Sequence, residues 1–130
     1  MAQAILSDIH GNLAALQAVL ADIEERGGID RIVCLGDIVG YNANPVEVSY
    51  LAWSRVGFSR KGKHELYVLG KEAKGVKDEK LEVITWTREQ LSRQYLDWLG
   101  SLPDSHLYED TFLLSPGSPR DPDEYIYKNE

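Results

Sequence analysis

Residues 2–12 read AQAILSDIHGN, an apolar run followed by an acid, a histidine and a glycine. The run Ala2–Leu6 predicts a buried strand, and Gly11 lets the chain turn sharply into a helix. Asp8 and His10 lie two residues apart at the end of that strand, so their side chains project to the same side. An acid and a histidine in this position are typical of a metal site at the mouth of an α/β sheet.

The residues that follow extend this start into a strand–helix–strand unit. Asn12 is predicted to cap a helix, and Gly27-Gly28 to end it. Arg31–Leu35 predicts a second buried strand. The helix itself is indicated by apolar residues at helical spacing, namely Leu13, Leu16, Leu20 and Ile23.

This topology is expected to bring three metal-binding side chains together. Two strands joined through one helix run parallel, so their carboxyl ends meet at one edge of the sheet. Asp8 and His10 follow the first strand, and Asp37 follows the second.

The remainder of the chain predicts further elements of an α/β fold, and its 130 residues predict one domain over residues 1–130. Residues 71–80 are charged and are predicted to be exposed. The three tryptophans are predicted to be core or interface residues. The predicted elements are a helix with Pro45 in its first turn, a weak strand at Val56–Lys61, a helix at Leu81–Leu91, a helix capped by Ser92 and closed by Gly100, and a hairpin at Ser105–Leu114.

The amino-acid composition limits the classes of molecule that the protein is expected to bind. Fourteen basic residues stand against 21 acidic ones, so the net charge of -7 disfavours duplex nucleic acid as a ligand. A small phosphorylated substrate stays compatible, because a bound divalent metal reverses the local field. The single cysteine, Cys34, favours a reducing cytoplasm. No signal peptide is visible, and no apolar run approaches the ~20 residues that span a bilayer, so no membrane partner is expected.

Four sequence blocks resemble the calcineurin-like metallophosphoesterases, in the bacterial branch with a short phosphodiesterase core. The resemblance implies a layered α/β sandwich with two metals at the sheet edge, and hydrolysis of a phosphomonoester or phosphodiester by metal-activated water. The first two blocks together are the specific signal. The blocks are Asp8-Ile9-His10-Gly11-Asn12, Gly36-Asp37-Ile38-Val39-Gly40-Tyr41, Gly62-Lys63-His64-Glu65 and Gly117-Ser118-Pro119-Arg120-Asp121-Pro122.

The resemblance also implies roles for single residues. Asp8 and His10 match the ligands of the first metal, and Asp37 matches the ligand that bridges both. His64 matches the histidine that contacts a phosphoryl oxygen or protonates the leaving group. Carboxylate and imidazole donors suit Mn, Fe, Zn or Ni.

The chain departs from the family pattern at the second metal. Lys63 stands where an asparagine ligand is expected, and Pro116 where a histidine is expected. A closing Gly-His-x-His block is absent after Arg120. A protonated lysine has no lone pair to offer a metal, so one metal is expected rather than two. The missing block indicates a fold that is incomplete at its C-terminus.

Two explanations of these departures stay open. In one, the chain is a truncated or decayed member of the family. In the other the site was rebuilt, and Lys63 holds a phosphate oxygen where the second cation stood. Asn12, at the start of a helix, is a further candidate to meet phosphate. Arg120 is expected to bind phosphate or to pair with Asp121.

The sequence therefore predicts a metal-dependent phosphoesterase whose activity is impaired. The alternative is a non-catalytic scaffold on the same fold, for which the family has a precedent in a retromer subunit. An incomplete second sheet would leave the edge of the hairpin at Ser105–Leu114 exposed. Exposed edges pair with another copy, so a homo-oligomer or an unstable monomer is expected.

Overall fold

The computed structural model describes residues 2–71, 75–104, 106–108, 112–115, 118, 120–121 and 124–127. It has an α/β fold, as the sequence predicts. In chain order the elements are β1 (Ala2–Leu6), α1 (Leu13–Arg26), β2 (Ile29–Cys34), α2 (Pro45–Arg55), β3 (Phe58–Ser59), α3 (Lys63–Val68), α4 (Asp78–Gln90), α5 (Arg93–Ser101), β4 (His106–Tyr108) and β5 (Phe112–Leu114).

The first sheet has the strand order β1-β2-β3, and its strands run parallel. The register pairs Leu6 with Cys34 and Cys34 with Ser59, which confirms the parallel pairing expected from the strand–helix–strand unit. The weak third strand exists but is two residues long. It ends there because the Lys61 backbone N–H turns away and donates to the carbonyl of Pro103.

The alternation of side chains along β2 divides the core between the two faces of the sheet. Ile32 and Cys34 belong to the main core, which the helices cover with residues such as Leu16, Val48 and Leu99. On the opposite face, Val33 packs with Leu114 of β5. The antiparallel β4-β5 hairpin, which the sequence predicts, thus begins a second layer on that face.

Helix boundaries differ from the expected ones in three places. α4 begins at Asp78, before the predicted Leu81, because the acidic residues of its first turn suit a helix N-terminus. α5 is capped by the Ser92 side chain as expected, but it continues through Gly100 to Ser101. α3 is a one-and-a-half-turn helix that the sequence analysis did not predict, because six residues are too few to show a periodic pattern.

Several large apolar side chains are exposed. Ile5 of β1 and Phe112 and Leu113 of β5 are each more than half exposed, as is Trp53. In the described part of the first sheet, β1 is an edge strand. None of its residues is buried, so the expectation that Ala2–Leu6 is a buried strand is wrong, because only β2 flanks it among the described strands. These features are compatible with association between copies, and the homo-oligomer stays a prediction. Among the described residues, no helix is long and apolar enough to cross a membrane.

Candidate metal centre

The three predicted metal ligands lie together at the carboxyl edge of the parallel sheet. One donor atom each from Asp8, His10 and Asp37 all fall within 4.8 Å of one another. Asp8 is exposed, and the other two are half-buried. Donors around one cation lie up to about 4 Å apart, twice a metal–ligand bond of roughly 2.1 Å. The three side chains therefore need only a small closure to share an ion.

The hydrogen bonding of His10 fits a metal ligand. Its Nδ1 lies 3.2 Å from the carbonyl oxygen of Val39, and a carbonyl only accepts, so Nδ1 carries the proton. In the neutral ring Nε2 is then an acceptor, and it lies 3.4 Å from Oδ1 of Asp8. Two acceptors that close need a cation between them or a proton on Nε2. A backbone carbonyl on the far nitrogen is the usual way in which a ligating histidine is oriented.

All three ligands adopt a backbone conformation that is unusual for residues other than glycine. Their φ angles are 56° at Asp8, 47° at His10 and 56° at Asp37. Such conformations cost of order 1–3 kcal/mol each and persist where the surroundings enforce them. Here the two loops bond to each other beyond the sheet: Asp8 N–H donates to Gly36 at 3.2 Å and His10 N–H to Asp37 at 2.8 Å.

Glu65 supports the Asp37 loop, a role that the sequence analysis missed. Its side chain is fully buried, and its two carboxylate oxygens accept the backbone N–H groups of Asp37 and Ile38, at 3.1 and 2.5 Å. Burial raises the pKa of Glu65, and the negative charge of Asp37 raises it further, so that the pKa lies at about 7. The sequence signal was present, since Glu65 belongs to the third family-like block, but its burial is visible only in the fold.

The stability of the metal-free protein should fall as pH rises from about 4.5 to about 7, through Glu65. Its folded pKa lies above its ordinary value of 4.5, so the folded state binds the extra proton and loses that advantage as the proton leaves. The loss is at most roughly 3 kcal/mol. Urea unfolding in EDTA at pH 5 and pH 8 measures it. Glu65→Gln should reduce the difference in the free energy of unfolding between the two pH values. Glu47→Gln, at an exposed residue, should not. An equal pH dependence in wild type and Glu65→Gln would contradict the assignment.

His64 is drawn into the same centre by α3. Its backbone N–H donates to Oδ1 of Asp37 at 3.0 Å. Its ring centroid lies 4.6 Å from that of His10 and 4.4 Å from that of Tyr41. Gly40 leaves room for this ring, because a Cβ at that position would lie 2.9 Å from Cγ of His64. The predicted neighbour of the phosphoryl group is therefore beside the metal ligands.

The environment disfavours the charged form of the His64 imidazole. Burial lowers its pKa, the neighbouring His10 lowers it further, and Asp37 opposes both. Nδ1 is buried and has no hydrogen-bond partner in the described part of the chain. Since Nδ1 packs over Gly40, Nε2 is the ring nitrogen left to meet a substrate.

Lys63 lies next to His64 in sequence but is engaged elsewhere. Its Nζ lies 5.8 Å from the centroid of the Tyr125 ring, a cation–π distance. The three-donor group is Asp8, His10 and Asp37, without any contribution from α3. Pro116, the other departure from the family pattern, lies outside the described residues.

The two remaining substrate-binding candidates have structural roles. Oδ1 of Asn12 accepts the N–H of Ala15 at 3.1 Å and so caps α1, as expected. Arg120 pairs with Glu124 at 3.3 Å, and its side chain is exposed. The expected pairing of Arg120 with Asp121 stays a prediction. Nothing in the described residues links Arg120 to the metal ligands, so its contact with phosphate stays a prediction.

Two depressions adjoin the centre. The first, of about 400 Å³, contains Asp8, His10 and Asn12 and is the metal-side cleft. The second, of about 310 Å³, is here called the Trp86 groove and is lined by Tyr41, Asn42, Ala43, Glu82, Val83 and Trp86. Tyr41 and Asn42 line both depressions, so the two adjoin at these side chains.

Known proteins share this fold and sequence pattern. The chain matches the calcineurin-like phosphoesterase family over residues 1–129. It is 40% identical over 130 residues to the uncharacterized protein MJ0912 of Methanocaldococcus jannaschii, covering 95% of this chain and 53% of that protein. A metallophosphoesterase from Sphaerobacter thermophilus superposes with a TM-score of 0.79 at 38% identity, covering 96% of this chain and 50% of that one. For the hypothetical protein PH1004 from Pyrococcus horikoshii OT3 the TM-score is 0.77 at 25% identity, covering 98% and 59%.

The chain therefore belongs to the calcineurin-like phosphoesterase family, and the predicted family and fold class are confirmed. It spans about half the length of the relatives that it matches.

Proposed function

We propose that this chain is a metal-dependent phosphoesterase domain that hydrolyses a small phosphomonoester or phosphodiester. Asp8, His10 and Asp37 would hold one divalent cation, Mn, Fe, Zn or Ni. The observation that supports this best is that one donor atom from each of these three side chains lies within 4.8 Å of the others. One cation is favoured over two because Lys63 replaces a second-metal ligand and supplies no lone pair.

Each remaining side chain has a distinct task in this proposal. A bound divalent cation supplies Lewis acidity toward a phosphoryl oxygen and lowers the pKa of water. Nε2 of His64 meets the phosphoryl group or gives the leaving oxygen a proton. Asn12 lines the metal-side cleft, and its Oδ1 caps α1, so its amide N–H₂ stays able to donate to phosphate. Glu65 accepts the backbone N–H groups of Asp37 and Ile38 and so holds the loop that carries the Asp37 carboxylate.

The test is turnover with and without metal. The protein is stripped with EDTA, reloaded with Mn²⁺ and assayed on p-nitrophenyl phosphate and bis-p-nitrophenyl phosphate, which separate monoesterase from diesterase activity. We expect activity only after reloading, and a loss of at least about 100-fold in Asp8→Asn. Asp97→Asn is the matched control, because Asp8 and Asp97 are similarly exposed, at 64% and 67%. Full turnover in EDTA, or in Asp8→Asn, would refute the proposal.

A scaffold without catalysis is the second candidate. The engagement of Lys63 with Tyr125, at a position where the family pattern has a ligand, favours it. Metal binding without turnover on either ester would support the scaffold.

For either function we propose a cytoplasmic location, because the one cysteine, Cys34, is fully buried as a free thiol.

A further inference from the structure

We propose that the Trp86 groove binds a planar aromatic leaving group, so that the substrate is an aryl or nucleoside phosphoester. This inference rests on the proposed function and names the substrate class of the same site. The groove holds about 310 Å³, at the lower end of the range for small-molecule sites. That volume suits a ring system rather than a macromolecule.

The walls of the groove are aromatic and apolar. Trp86 is 39% exposed and Tyr41 45% exposed, and both line the groove. Val83 lies three residues before Trp86 on α4, so both occupy one face of the helix, and Ala43 comes from the opposite loop. Aromatic faces attract other flat rings through offset or edge contacts, beyond the gain from area burial.

Two polar side chains complete the groove. Glu82 offers a carboxylate that accepts N–H groups, and Asn42 offers an amide that both donates and accepts. A few polar groups on an apolar site are what orients a small ligand. They suit the ring nitrogens and amino groups of a nucleobase, and they also tolerate a plain aryl ring.

Tyr41 connects this groove to the metal centre. Its ring centroid lies 4.7 Å from that of His10 and 4.4 Å from that of His64. On α4, Nζ of Lys80 lies 5.2 Å from the Tyr41 centroid. Tyr41 thus has the metal ligand His10 beside its ring, and the Lys80 ammonium and the groove also adjoin it. The Lys80 ammonium acts as a point charge for a phosphate oxygen.

The reaction that this arrangement serves is a hydrolysis. A water oxygen forms the new P–O bond, and the P–O bond to the leaving oxygen breaks. The leaving oxygen keeps the electron pair and gains a proton, and the water loses one. The ring attached to that oxygen occupies the Trp86 groove before and after the step.

Equilibrium binding tests the groove without turnover. Mn²⁺-loaded protein is titrated calorimetrically with three phosphonates whose P–C bond is not hydrolysed: ethylphosphonate, benzylphosphonate and the 5′-methylenephosphonate analogue of adenosine monophosphate. We expect either ring-bearing ligand to bind about 10-fold more tightly than ethylphosphonate. The tighter of the two distinguishes a nucleoside from a simple aryl substrate. Equal affinity for all three, or no binding of any, would overturn the inference.

Single substitutions test whether the preference for ring-bearing ligands arises in the Trp86 groove. Trp86→Ala should remove the preference for the ring, and Trp86→Phe should restore most of it. Trp53→Ala, at an exposed tryptophan of α2 that does not line the groove, should leave the preference for the ring unchanged. Lys80→Gln should weaken all three ligands by a similar factor. A ring preference that survives Trp86→Ala would also overturn the inference.

The two proposals can fail separately. Turnover of the p-nitrophenyl esters without any ring preference in binding would leave the proposed function intact and remove the inference. A ring preference without turnover would leave a binding groove and remove the esterase.

Discussion

Replacing Asp37 with asparagine is expected to weaken Mn²⁺ binding by at least about 100-fold. Asparagine keeps the shape of the side chain and an oxygen that can accept the backbone N–H of His64, now 3.0 Å from Oδ1. What is lost is the negative charge, which is the main attraction of a hard divalent cation to a carboxylate. The change therefore separates the metal contact from the structural contact.

Calorimetric titration with MnCl₂ measures this loss, and urea unfolding of the same samples verifies the fold. Asp22→Asn, in an exposed ion pair on α1, is the control and should bind Mn²⁺ as the wild type does. Relief of the repulsion between Asp37 and the buried Glu65 should leave the metal-free variant at least as stable as the wild type. Unchanged Mn²⁺ affinity in Asp37→Asn would remove Asp37 from the site.

The second large effect is expected from Gly62→Ala. A Cβ at Gly62 would lie 2.7 Å from Cγ of Asp37 and closer still to its backbone nitrogen and Oδ1. Backbone cannot swing aside as the end of a flexible side chain can, so the Asp37 loop must shift. We expect a destabilisation of about 1–3 kcal/mol together with the loss of Mn²⁺ binding.

Gly100→Ala is the matched comparison for this prediction. In α5 the nearest neighbour of a Cβ at Gly100 is a methyl carbon of Leu69 at 3.8 Å, an ordinary contact. Alanine is the better helix former, so this variant should gain up to about 1 kcal/mol. Urea unfolding midpoints for the two variants should move in opposite directions. Equal stability of Gly62→Ala and the wild type would mean that the Asp37 loop is not packed as described.

The part of the site that lies on strand ends could be predicted from the sequence. A strand, a helix and a second strand follow one another over residues 2–35, and that order brings Asp8, His10 and Asp37 to one edge. The capping roles of Asn12 and Ser92 also followed from local rules, because a capping side chain bonds to its own helix.

The parts that depend on distant segments could not be predicted. Glu65 reads as an ordinary polar residue, and its function follows from two N–H groups that lie 27 and 28 residues away in sequence. The fit of the His64 ring over Gly40 is equally non-local. Trp86 was expected in a core or an interface, and it is 39% exposed in a groove that it shares with the loop after β2.

The metal site can be tested by diffraction from crystals soaked in MnCl₂, measured at a wavelength where manganese scatters anomalously. We expect one strong anomalous peak, bonded to Asp8, Nε2 of His10 and Asp37, and no second peak beside Lys63. Absence of manganese from these three side chains, at a concentration that saturates binding in solution, would rule out the proposed metal site.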